Sequence, residues 1–462
     1  MMSYLIYGLA DYVAGLRYED LPEEAVERAK QVILDSYGNM VFGRYCEASE
    51  RIMKYAQIAD APVKGEAPAS LLGTEPVFTG SDTAVFTHTM MARCADLDDG
   101  YRHAMGHPGS GLVPLLLTMA QIYGRNGRDM ITAITAAYDV YARLGEAINP
   151  FMYRERGFDA TGVCGAVAAA ALAAKMRGAD AGQIKDAMGL ASLFTGGLIE
   201  YQNDGTSGKI MCGGWGALTG MRASRLAACG FTGPEAALEG RYGFFQAFTG
   251  TSGHCDMSHV LDDLGKEFKI TSIYFKRHAC QRGLHATLDA VMDLKESLNL
   301  TPEMVRSLDI RTSSFVFRLS NPEPKTPVGA QASAQFTSAV TIKYGRMDSE
   351  ELVLKSFDDP EIRELVGKIT VTKDESVQQY LAENPTHFCA ARVVLETTEG
   401  QVHERWAPVP LGDVETPFGW DMLRTKYMHL IAGTPCEQTA DRRFELIRGL
   451  EKETSIDSLF TL

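Results

Sequence analysis

Apolar positions recur at helical spacing through the first half of the chain. After Pro22, with Glu23 and Glu24 in the first turn, Ala25, Ala29, Val32, Ile33 and Tyr37 fall on one face of a helix. SDTAVFTHTMMARCADLDD, from Ser81, predicts a second helix with a Ser/Asp start that runs straight into a cluster of acids. LVPLLLTMAQIYGRNG and RDMITAITAAYDVYARLGEAI predict a helical pair turned at Gly124 to Gly127. TGVCGAVAAAALAAKMRGAD, AGQIKDAMGLASLFTGGLIEY, GWGALTGMRASRLAACGFTG and GPEAALEGRYGFFQAF continue the series.

The period changes near Ile270. KITSIYFKRHACQRGLHATLDAVMDLKESL has a strand-like start and then a helix. VRSLDIRTSSFVF, GKITVTKDES and FCAARVVLETTEGQVHERW alternate with the two-residue period of half-buried strands. SAQFTSAVTIKYGRMD and DDPEIRELVG between them read as helices, and helix returns at TPFGWDMLRTKYMHLIAG and RRFELIRGLEKE. The order predicts a mainly α protein: a large helical domain over 1–268 and 405–462, interrupted by a smaller α+β lid domain over 269–404.

Composition narrows the possibilities. A chain of 462 residues exceeds what one hydrophobic core usually serves. The net charge of −14 argues against non-specific nucleic-acid or anionic-membrane binding, both of which demand a basic face. Nine cysteines with no CxxC pair point to buried thiols in a reducing cytoplasm, and to neither a disulfide framework nor a zinc or iron–sulfur site. The N-terminal residues lack a basic start followed by an apolar core, so no signal peptide is expected. The alanine-rich run from Gly162 to Gly178 is broken by Lys175 and falls short of the ~20 apolar residues of a bilayer span. A buried helix packed through small side chains is the expectation.

The densest chemistry lies in DLDDGYRHAMGHPGSG, Asp96 to Gly111. It is too polar and too broken for a core helix. Pro108 biases His107 away from helix and presents its imidazole from a rigid turn. Asp96 can orient that imidazole, while Asp98 and Asp99 suit the capping of turn amides. Lys209 follows a Gly- and Ser-rich turn. KRHACQRGLH gathers Lys276, Arg277, Arg282 and His285, where an acidic protein could concentrate positive charge for a polyanion.

Five segments, in order, resemble the MmgE/PrpD family: ADLDDGYRHAMGHPGSGLVP, GFDATGVCGAVAAAA, DGTSGKIMCGGWGA ahead of GFTGPEAALEG, FKRHACQRGLHATLDA and PLGDVETPFGWDMLRTKY. The resemblance implies a helical domain and an α+β lid with the active site between them, and usually a homodimer. It implies cofactor- and metal-independent chemistry at a carbon α to a carboxylate of a small di- or tricarboxylate. By the same resemblance Asp96, His107 and Lys209 are the catalytic candidates. Tyr101, Arg102, Asp159, Cys212, Lys276, Gln281 and Arg282 are the substrate-binding candidates.

Several positions depart from that family's pattern. Asp159, Cys212 and Gln281 stand where members carry histidine, Val340 where many carry tyrosine, and Gly100 where a hydroxyl residue is common. One extra residue precedes His107. Asp159 adds negative charge, which disfavours a tricarboxylate in a closed site and favours a substrate with fewer carboxylates, or one carrying an amine or hydroxyl.

The expectation is a lyase or isomerase that abstracts an α-proton, with dehydration ahead of epimerisation and decarboxylation. Two other readings compete. Asp96, Asp98, Asp99, His103 and His107 could serve a metal-dependent hydrolase, although Gly and Pro break the i, i+4 helical spacing of the two histidines. The departures also suit a catalytically degenerate, carboxylate-binding member of the family.

Overall fold

A computed structural model describes residues 4–60, 66–73, 77–250 and 253–460. The extreme ends of the expected helical domain, at 1 and 462, lie outside them. The protein is mainly α with a smaller α+β part. One hydrophobic core runs through helices from Leu5–Gly15 to Cys212–Ala228 and takes in Trp420–Ile431 and Ala440–Arg448 from the C-terminal segment. A second core is built from residues between Cys280 and Ala407. Ala95, Leu97, Ala279 and Leu430 form a small cluster of their own where segments of both parts meet.

The alanine-rich run is the helix Ala160–Arg177, buried along almost its whole length. Its small side chains let the helix Cys212–Ala228 approach closely: a Cβ on Gly220 would stand 2.4 Å from the Ala170 nitrogen. No helix among the described residues is long and apolar enough to cross a membrane. A similar close approach, with a notional Cβ on Gly43 only 2.1 Å from the Met91 carbonyl oxygen, locks Glu23–Tyr45 against Ser81–Arg93. These contacts fix the end of Ser81–Arg93, from which the acidic motif departs.

The sheet orders its strands Ile369–Lys373, Val305–Thr312, Ala391–Thr397 and Val402–Ala407. The first pair is parallel, with Ile310 opposite Val371, and the others are antiparallel, with Ile310 opposite Val393. Val305, Leu308 and Ile310 turn to a core shared with helices His285–Leu298 and Ala334–Tyr344.

Several elements differ from the periodic reading. Ser81–Arg93 stops at Arg93 instead of running into the acids. GPEAALEGRYGFFQAF is helical only over Phe244–Thr249. Before it, Gly240 and Gly243 carry turns in which a Cβ would meet the carbonyl oxygens of Ala236 and Leu238 at 2.5 and 2.6 Å. KITSIYF forms a 3-10 turn, Lys269–Ser272, and then a single bridge from Tyr274 to Gly100, because among the described residues no strand lies beside it to pair with. The ribbon of Ala69–Leu71 with Val77–Thr79 is too short to show a period.

Candidate active site

Past Arg93 the chain turns through Asp96, whose φ of 54° lies in the left-handed region. Asp96, Asp98 and Asp99 are all buried, so each carboxylate needs a partner. Asp96 lies between two ammonium groups, with Lys276 Nζ 2.6 Å from Oδ1 and Lys209 Nζ 2.6 Å from Oδ2. Burial alone would raise its pKa, but Lys209 and Lys276 outweigh that and hold it well below the usual carboxylate range. Asp98 is also opposed by burial, yet its ion pair with Arg93 brings it to about 2. Asp99 accepts from Tyr138 Oη at 2.6 Å and from the Gly109 amide at 2.9 Å, and burial dominates, pushing it up to about 7.

The loop then doubles back. The Tyr101 amide donates to the Gly106 carbonyl at 3.0 Å, and Pro108 leads into the helix Gly109–Tyr123. Between them, His107 places Nδ1 2.7 Å from the Asp99 carbonyl oxygen. A carbonyl can only accept, so Nδ1 carries the proton and Nε2 keeps its lone pair. Burial brings the imidazole down to about 4, although Asp98 Oδ2, 3.6 Å from Nδ1, pulls the other way. At neutral pH the ring is therefore uncharged and basic at Nε2.

The other side of the site comes from distant segments. Lys209 sits on the 3-10 turn Ser207–Met211; burial, then Lys276 and Arg93, lower its pKa against the pull of Asp96. Arg282 donates through Nη2 to Asp413 at 2.6 Å and lies 4.0 Å over the Tyr274 ring. Its buried Nε and Nη1 have no hydrogen-bond acceptor. Asp159 caps the helix Ala160–Arg177 through the Thr161 amide at 2.8 Å and accepts from Tyr201 Oη at 2.8 Å.

Asp96, His107, Asp159, Lys209, Lys276, Gln281 and Arg282 line one cavity of about 70 Å3. It adjoins an outer cavity of about 260 Å3, which shares Asp96, Lys209 and Gln281 with it. A larger cavity of about 320 Å3 lies behind the motif, lined by Leu97, Met292, Met347 and Phe418, and holds neither His107 nor Lys209.

Three expected site residues do not line the inner cavity. Tyr101 gives its hydroxyl to Glu146, and Arg102 is taken by Glu415 at 2.8 Å and Asp413 at 3.3 Å. Cys212 begins its helix beside Asp159, where burial first and that carboxylate second push the thiol up to about 12. Arg277 is held by Asp289 at 3.1 Å, and His285 is buried against the His278 ring at 5.1 Å. The carboxylate nearest His107 is Asp98 and not Asp96, which the two lysines occupy. Val340 lies in the second core, and Gly100 faces Tyr274. Among the described residues no group of three or more His, Cys, Asp or Glu is placed to hold a metal ion. His103 packs instead on the Tyr101 ring at 5.5 Å.

Sequence reasoning missed Arg93, Tyr153, Tyr201, Tyr274, Phe315 and Phe388. Arg93 and Tyr274 each stand a few residues from a recognised position; the others carry no local signal.

A family model described as the MmgE/PrpD N-terminal domain matches residues 8–254, and one described as the MmgE/PrpD C-terminal domain matches 278–452. Among curated proteins the chain is 25% identical over 477 residues to the cis-aconitate decarboxylase-like protein oryM of Aspergillus oryzae, covering 98% of this chain and 96% of that one. It is 25% identical over 480 residues to the cis-aconitate decarboxylase of Aspergillus terreus, covering 98% and 94%. It is 22% identical over 430 residues to the 2-methylcitrate dehydratase of Cupriavidus necator, covering 88% and 85%.

Proposed function

The chain belongs to the MmgE/PrpD family, and on that premise we propose that it is a cofactor-independent lyase or isomerase that moves the proton α to a carboxylate of a small di- or tricarboxylic acid. The observation that carries this reading is the shared cavity of a neutral His107 and the cationic Lys209, Lys276 and Arg282. The substrate carboxylate accepts from one of the unpartnered nitrogens of Arg282 and from the Lys209 ammonium. His107 Nε2 takes the α-proton, and the ammonium groups around Asp96 stabilise the enolate charge that develops. Lys209, its pKa lowered by burial, is the acid available to a departing hydroxyl.

Dehydration of a hydroxy acid is the favoured outcome, ahead of epimerisation or decarboxylation. Asp159 supports it: the carboxylate can accept a hydrogen bond from a substrate hydroxyl, whereas a third substrate carboxylate would meet a buried like charge.

The test is proton NMR in heavy water with a panel of hydroxy-, amino- and unsaturated dicarboxylates. The expected result is exchange at the α-carbon, with loss of water from at least one hydroxy acid, and disappearance of the exchange in His107→Asn. Exchange that persists undiminished in His107→Asn removes His107 as the base, and with it this reading.

A further inference from the structure

The outer cavity carries two cations that the chemistry above does not use. Arg154, on the helix Phe151–Arg156, and Arg318, just past the helix Ser314–Phe317, both line it together with Lys209. Their guanidinium groups have no hydrogen-bonded or ion-paired carboxylate among the described residues. By contrast, Arg93, Arg102, Arg225 and Arg282 are each paired with acids. With 59 acidic residues against 45 basic ones, partners for surface arginines are plentiful.

The two positions are also organised. The Arg154 guanidinium lies 5.1 Å from the centroid of the Phe315 ring, and that ring lines both the inner and the outer cavity. Arg318 is three residues beyond Phe315; partial desolvation first, and then the like charge of Arg318, lower the pKa of Arg154 against Glu155. Two cations facing one cavity without a counter-ion are relieved by an anion between them. Arg154 lies in the residues matched by the N-terminal family model and Arg318 in those matched by the C-terminal one, so an anion held by both would tie the two parts together over the cavity.

We propose that Arg154 and Arg318 form an outer anion subsite, which takes a second acidic group of the substrate while the first is held at Lys209 and Arg282. The inference rests on the reading that the substrate carries two acidic groups. It assigns the distal group to a carboxylate on a chain that reaches from the inner cavity to the outer one.

The test is calorimetric titration of the full chain with succinate, glutarate and adipate, each against the monocarboxylic acid of the same carbon number, and with inorganic phosphate. Arg154→Met, Arg318→Met and the double variant are compared with wild type; both side chains are exposed, so the fold does not depend on them. The expected result is that the best-bound diacid weakens about three- to tenfold in each single variant, while its matched monoacid does not change. Equal losses for diacid and monoacid, an unchanged diacid, or no diacid binding to wild type each overturn the proposal. Phosphate binding that is lost in the double variant while the diacid is unaffected overturns it too, since the site would then hold free anions and not substrate. Failure of the proton-transfer reading appears in exchange and not in binding, so the two can be told apart.

Discussion

His107 Nδ1 lies 2.7 Å from the carbonyl oxygen of Asp99, so a peptide group and not a carboxylate fixes the tautomer of the candidate base. A carbonyl cannot take the proton from Nδ1 and carries no full charge to raise the basicity of the ring. The ring stays neutral because most of it is shielded from water, which brings its pKa down to about 4. Asp98, 3.6 Å away and already bound to Arg93, opposes that effect, with Asp96 a lesser contributor.

The pH dependence follows from that arrangement. The base form of His107 is present above a pKa of about 4, so the exchange rate should climb as pH rises through that value and then level off. It should fall again once Lys209 loses its proton, at a pH below the ordinary lysine value. In Asp98→Asn the ring loses the charge that raises its pKa, and the acid limb should move to still lower pH. The pH profile of kcat/KM in both proteins checks this; an acid limb near the ordinary histidine value of about 6.5 would contradict it.

The same depression makes stability pH-dependent. His107 takes up its proton less readily in the folded chain than in the unfolded one. Its contribution is therefore fully present above the unfolded histidine value of about 6.5 and is lost as pH falls toward about 4. His107→Asn should flatten that part of a plot of melting temperature against pH. An unchanged slope in the variant would show that the ring is not the group responsible.

Lys276 and Lys209 hold the same carboxylate but should behave differently when removed. The Lys276 side chain is 1% exposed and Lys209 is 18% exposed. Lys276→Met leaves Asp96 deep in the protein with half its compensation, and should cost about 3 kcal/mol of stability. Lys209→Met should cost less stability, because water reaches its side, yet abolish turnover. Thermal unfolding with α-proton exchange measures both; equal destabilisation by the two would show that burial does not set the cost.

Much of this was legible in the sequence, and the rest was hidden for definite reasons. The helices came from the period of their apolar positions, and the acidic motif, Lys209 and KRHACQR came from titratable residues crowded beside turns. Tyr101 and Arg102 were misplaced because the loop doubles back between Tyr101 and Gly106, and the side to which a loop residue turns has no period. Arg93 reads as an ordinary basic residue in the last turn of a helix until Asp98 proves to be buried beside it. Tyr153, Phe315 and Phe388 reach the cavity from segments far apart in the chain, a convergence that only the packed core creates.

Asp159 should act on specificity more than on rate. Asp159→Asn keeps a side-chain oxygen to cap Thr161 but removes the charge, so stability should fall by no more than about 1 kcal/mol. Its affinity for tricarboxylates should rise relative to that for hydroxy dicarboxylates. Asp159→His should go further in the same direction. Competition binding with citrate against malate measures the ratio, and a ratio unchanged in both variants would separate Asp159 from substrate choice.

Gly100 controls the site from outside it. It pairs with Tyr274 through two backbone hydrogen bonds, at 3.0 and 2.9 Å, and a Cβ there would stand 2.3 Å from the Tyr274 hydroxyl oxygen. The Tyr274 ring has little room to give way, because it carries the Arg282 guanidinium at 4.0 Å on its face and meets His107 edge-on at 6.5 Å. Gly100→Ala must therefore displace Tyr274, and with it the Arg282 guanidinium that we propose holds the substrate carboxylate. A shift of about 1 Å in a positioning group can cost on the order of a hundredfold in rate. The expected signature is a fall of that size in kcat/KM, with a smaller loss in melting temperature. The same Cβ would stand 2.3 Å from Tyr274 Cζ and 2.9 Å from Cε1, ring atoms that Tyr274→Phe keeps, so Gly100→Ala should stay impaired on that background too. Full activity in Gly100→Ala would show that the bridge between Gly100 and Tyr274 does not position Arg282.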